Sequence, residues 1–223
     1  MSVSTASGAA ADAAAPIDGP PAKRPFTFGV AWLAALLIFG LLLGAGGTLY
    51  ATRNVHPGDT SAEAGFLRDM STHHAQAVEM SMIAHANSAD PQIISLSADI
   101  ALTQHGQIGY MQAWLRDWGL SPTGSQPAMS WMPGSEGSVV NGLMPGMATP
   151  EQLAKLRTAT GKDLDVQFLT LMRQHHLGGI HMAQAILEQS DNKDVTWLAG
   201  TMVTSQQGEI SLIDSLLAEA RGN

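Results

Sequence analysis

The chain has 223 residues, a formal net charge of -8 and no cysteine. Without cysteine it forms no disulfide, thiolate zinc site or iron–sulfur cluster, and an acidic chain with no basic stripe is a poor partner for nucleic acid, whose phosphates dominate binding. Methionine is frequent, at 12 residues, and several stand in polar or glycine-rich surroundings where core filler is not expected.

Residues 1–25 are rich in Ala, Ser, Gly and Pro and have no hydrophobic period, which predicts a disordered cytoplasmic tail. Residues 26–50, FTFGVAWLAALLIFGLLLGAGGTLY, carry no charge. A run of that length crosses about 30 Å of hydrocarbon. Lys23 and Arg24 precede it and favour a cytoplasmic N-terminus, a bias that Arg53 slightly weakens. The run exceeds a usual signal-peptide core and no clean A-x-A site follows, so an uncleaved single-pass anchor in the cell membrane is expected. After a linker at 51–60, residues 61–221 are expected outside the cytoplasm as one helical domain.

Asp59, Thr60 and Ser61 offer N-caps for a helix that runs to about Ala86. Asp90-Pro91 then reads as an N-cap followed by proline at the first helical position. The helix it opens stops near Trp118, before Gly119 and Pro122. Residues 119–149 form a long loop, since Gly, Pro and Ser exclude a regular element. Loops of this length are usually functional or disordered. Thr149, Pro150 and Gln152 form a capping box for a short helix ending near Gly161. A further helix is predicted over about 163–189, and Asn192 caps a last one that runs to about Ala220.

The two hairpins align on each other without a gap. Phe66 falls on Phe168, Leu67 on Leu169, Met70 on Met172, His73 on His175, His74 on His176 and Met80 on Met182. The match continues through Asp90 on Asn192, Leu96 on Leu198, Gln104 on Gln206, Gly106 on Gly208, Ile108 on Ile210 and Leu115 on Leu217. Neither hairpin can bury its apolar stripe alone. The expected fold is therefore all-α, a four-helix bundle with a pseudo-two-fold axis, preceded by one transmembrane helix.

On a helical wheel His73, His74, Ala77 and Met80 all fall within about 80° of Met70. Phe66, Leu67 and Ile83 share that face, so it is the buried one. Met172, His175, His176, Gly179 and Met182 repeat the pattern, and the small Ala77 and Gly179 are expected to leave room beside the rings. On the partner helices, Ile100, Gln104, Gln107, Ile108 and Met111 share one stripe. Met202, Gln206, Glu209, Ile210 and Ile213 share the other. Buried polar groups must satisfy one another or hold something.

Imidazole suits copper, zinc, nickel and iron, and thioether sulfur selects copper, above all the reduced ion. His73, His74, His175 and His176, with Met70, Met80, Met172 and Met182, are thus candidate ligands for copper, with zinc or no metal as alternatives. Gln104, Gln107, Gln206 and Glu209 would orient the rings or complete the shell. In the long loop, Met129, Met132, Met144 and Met147 either capture metal or anchor the loop by burial. His181 and Glu79 fall on the solvent side of the wheel. His85 and His105 lie at the edge of the buried stripe, and His56 is in the linker.

The segments FLRDMSTHHAQAVEM and FLTLMRQHHLGGIHM, the stretches 104–108 and 206–210, and MPGMATPEQLAKL from Met144 resemble a bacterial family, domain of unknown function 305. The resemblance covers nearly all of residues 62–221. It implies a ferritin-like four-helix bundle, and some members are linked to copper binding and resistance outside the cytoplasm. Gln107 departs from the pattern, which usually has Glu there, as the second copy does at Glu209.

Three functions follow from this reading. The first is a membrane-tethered metal buffer or chaperone, with copper preferred. The second is a metal-free scaffold or partner-binding bundle whose polar seam fixes helix register. The third, a metal-dependent oxidase, is disfavoured: ferritin-like di-iron sites use Glu-x-x-His, which this chain lacks. No nucleophile, base and acid fall in one cleft, so no catalytic residue is assigned.

Overall fold

A computed structural model describes residues 29–51 and 56–221. Among the described residues there are six helices and no strand: α1 (Val30–Ala51), α2 (Ala62–Asn87), α3 (Pro91–Asp117), α4 (Pro150–Thr158), α5 (Gly161–Gln189) and α6 (Lys193–Arg221). The fold is all-α, as the periodicity predicts. The tail expected at 1–25 lies outside the described residues.

The chain divides into two units, one containing α1 and one from Val55 onward. In α1 a 21-residue stretch, Val30–Tyr50, has a mean hydropathy of 2.2 and no buried residue. It is long and apolar enough to cross a membrane.

In the second unit, local chemistry sets the helix ends. Ser61 caps α2, its Oγ accepting from Ala64 N at 3.1 Å. Asp90 caps α3 through Gln92 N at 2.8 Å, with Pro91 in the first turn. Thr149 and Gln152 make the reciprocal capping box of α4. Asn192 accepts from Asp194 N and Val195 N at the start of α6. The helix expected over about 163–189 begins earlier, at Gly161, whose φ of +53° turns the chain directly out of α4.

α2 packs on α3 and α5 on α6, the two hairpins meet through α2 and α5, and α4 lies against both of these. The same cross-brace occurs twice. Ser88 Oγ accepts from Asp90 N at 3.1 Å and donates to Asp165 of α5 at 2.6 Å. Ser190 Oγ accepts from Asn192 N at 3.1 Å and donates to Glu63 of α2 at 2.7 Å. Each turn thus grips the start of the other hairpin.

The core falls into two apolar clusters. One contains Phe66, Met70, Met111, Leu115, Met182 and Met202. The other contains Met80, Ile100, Phe168, Leu169, Met172 and Ile213. Between Met70 and Met80, and between Met172 and Met182, lie the histidines.

The long loop is stapled down. Asp69 accepts from Met129 N at 2.7 Å and from Trp131 Nε1 at 2.9 Å. Burial nevertheless raises its carboxyl above the ordinary carboxylate range. Trp131 packs edge-on against Phe66 and fills the space over Gly65. Gln76 clamps the far end, donating to Ala148 O at 2.9 Å and accepting from Ala148 N at 2.6 Å.

Candidate metal centre

α2 and α5 carry His73, His74, His175 and His176 into the interior, where none is more than 1% exposed. His73 and His175 stack across the α2–α5 seam, with ring centroids 3.8 Å apart and planes at 34°. The His175 and His176 rings are 6.4 Å apart.

Each Nε2 faces an acceptor. His73 donates to the Pro145 carbonyl at 3.1 Å, and His175 to the His73 carbonyl at 2.8 Å. His74 donates to Gln107 Oε1 at 2.7 Å, and His176 donates to the Glu209 carboxylate. An acceptor at Nε2 fixes the proton there and leaves Nδ1 as the lone-pair nitrogen. In all four rings Nδ1 is buried without a hydrogen-bond partner. Burial pushes His73 down to about 4 and His74 to about 3, and it holds His175 well below its ordinary value. Neighbouring imidazoles add to the shift at His74 and His175. These three rings are neutral near pH 7, the form that binds metal.

Met70, Met80, Met172 and Met182 are fully buried, two in each apolar cluster flanking the rings. The Gln104 and Gln206 amides are buried as well. Both polar atoms of Gln104 and the Oε1 of Gln206 lack partners. The room expected next to Gly179 is taken up by Gln206: a Cβ on Gly179 would lie 2.7 Å from its Oε1.

Among the described residues no group of three or more His, Asp or Glu side chains stands ready as a ligand set. The donor types present, imidazole nitrogen and soft sulfur with one adjoining carboxylate, fit copper far better than a carboxylate-bridged iron pair.

The remaining candidates fall in the core or on the surface. Met129, Met132 and Met144 are buried in the same cluster as Met70 and Met182, and Met147 packs against it half-buried. His181 is exposed. Glu79, expected in solvent, is half-covered because Arg157 of α4 pairs with it. His85 and His105 are exposed rather than at the edge of the core. His56 stacks on Trp118 at 6.3 Å.

Sequence reasoning misses Pro145, Gln76 and Gly178. The loop 144–148 runs as a strap over α2 and α5, its Pro145 carbonyl on the His73 ring, and a Cβ on Gly178 would lie 2.0 Å from that oxygen. The signal is faint: Gly178 and Gly179 adjoin in mid-helix, where glycine is costly unless something approaches closely.

Fold and site together define an all-helical domain with a buried histidine layer. Residues 63–217 match the family described as Domain of unknown function (DUF305), and the chain belongs to it. A DUF305 protein from Streptomyces coelicolor, described as a candidate secreted protein, is 44% identical with a TM-score of 0.68, over 73% of this chain and 96% of that one. A DUF305 fragment from Deinococcus radiodurans is 31% identical with a TM-score of 0.59, over 71% and 96%. CopM in its Cu(II)-bound form shares the fold at 23% identity and a TM-score of 0.55, over 71% and 97%, and it has also been solved with Cu(I) and with Ag. No curated protein matches the chain.

Proposed function

We propose that this protein is a membrane-anchored, extracytoplasmic metal-binding protein that takes up copper in a buried His/Met site, for buffering, chaperoning or resistance. The observation that carries the reading is the layer of four buried imidazoles, each with Nε2 committed to an acceptor and Nδ1 unpartnered. Leaving four such nitrogens and a Gln amide unsatisfied costs roughly 1–3 kcal/mol per group, and an ion bound by Nδ1 would offset part of it. The flanking thioethers bias the choice toward copper. The matched braces at Ser88 and Ser190 support a duplicated, ferritin-like four-helix arrangement. The apolar α1, the basic pair Lys23 and Arg24, and the description of the Streptomyces relative support an anchor with the domain outside.

Calorimetric titration of the detergent-solubilised chain with Cu(I), Cu(II), Ag(I) and Zn(II) tests the site. Binding of the soft ions, lost when His73, His74, His175 and His176 are all replaced by Ala, is the expected result. Undiminished binding by that variant would remove these rings from the site.

One observation favours a second reading, the metal-free scaffold. The bonds from His73 to Pro145 and from His175 to His73 tie loop to helix and helix to helix, as a structural network does. That reading requires the same melting temperature with copper as with chelator, whereas an ion held only by the folded state raises it.

A further inference from the structure

The rings that face the outer helices have different partners. His74 of α2 donates to Gln107 of α3, and His176 of α5 donates to Glu209 of α6. Both pairs are 33 residues apart and both join the middle of a hairpin's first helix to its second. One acceptor is an amide oxygen and the other a carboxylate. The surroundings differ as well. Gly179 admits the Gln206 amide to the α5–α6 half. In the α2–α3 half Ala77 occupies the matching position, and both ends of Gln104 are unpaired.

A carboxylate at Nε2–H makes the opposite nitrogen a stronger donor, and it offsets the charge of a cation taken out of water. An amide supplies only a dipole. Inside a protein, where the dielectric is low, that difference is large.

We propose that the two halves are unequal, and that Glu209 makes the α5–α6 half, built on His176, the high-affinity half. Gln107 leaves the half built on His74 the weaker one. Glu209 acts as a positioning and charge-compensating residue through His176. This assignment rests on the metal-binding reading above.

The test uses the full chain in detergent, titrated with Ag(I) by calorimetry and with Cu(I) against a chromophoric chelator. Glu209→Gln keeps the shape and the hydrogen bond but removes the charge. It is expected to weaken the tightest binding 10–100-fold without altering the apo melting curve. Glu209→Asp should recover most of the loss. Gln107→Glu should strengthen binding by a comparable factor. Equal affinities of wild type and E209Q would overturn the proposal, as would an E209Q defect that neither restored carboxylate relieves. If the wild-type chain binds neither ion, the metal-binding reading falls and takes this one with it.

Discussion

Three of the buried imidazoles sit in an environment that opposes their charging, and the ion-free protein should register this in its acid stability. His73 at about 4 and His74 at about 3 lie below the ordinary value of 6.5 that an unfolded chain regains. Between those limits the unfolded state binds more protons, so stability falls as pH falls. The contribution is complete above pH 6.5 and drains away toward pH 4 for His73 and pH 3 for His74. His73 alone accounts for about 3 kcal/mol of that loss. Urea unfolding of the chelated protein at pH 7.5 and pH 4.5 measures it, and equal midpoints would contradict buried neutral rings. Gly178 offers a second test at this scale. A methyl group there would run into the Pro145 carbonyl, and overpacking of this kind costs roughly 1–3 kcal/mol. Gly178→Ala should lower the unfolding midpoint accordingly and loosen the strap, seen as faster amide exchange at Ala148.

Among the elements, the short helix α4 depends most on local sequence. Its capping box satisfies two amides at once, so Thr149→Ala should cost about 1 kcal/mol. The loss should appear in chemical denaturation and leave the long helices intact. This cap is legible in the sequence because capping is chemistry between residues three apart. Asp90-Pro91 and Asn192 are legible for the same reason. The inward faces of α2 and α5 are legible because the apolar period identifies them, and the two His-His pairs ride on that period. Glu79 stays 39% exposed, as a wheel suggests, but a wheel drawn for one helix cannot show Arg157 of α4 arriving to pair with it. The strap escapes for a related reason: its contacts are a backbone carbonyl on His73 and a side-chain clamp at Gln76, 72 residues away in each case. No local pattern encodes such a pairing. Which carboxamide or carboxylate meets which ring is partly legible, because the outer-helix stripes carry Gln107 and Glu209 at matching places. The stacking of His73 on His175 is not, since it depends on how closely two helices approach.

At the scale of the whole chain, α1 belongs to a separate unit from the helices that follow, and the apolar clusters of the second unit are built without it. A chain shortened to residues 56–223 should therefore keep its helical circular dichroism and its melting temperature. A collapse of either would show that the core needs α1. The stacked pair within this unit has a kinetic corollary. Rings with centroids 3.8 Å apart leave no gap for an atom between their faces. Either ring can turn only by giving up its hydrogen bond to a main-chain oxygen, Pro145 for His73 and His73 for His175. Ring turning at this seam would therefore keep the tempo of local opening of the strap and the helices around it, slower than the rotamer exchange of an exposed histidine.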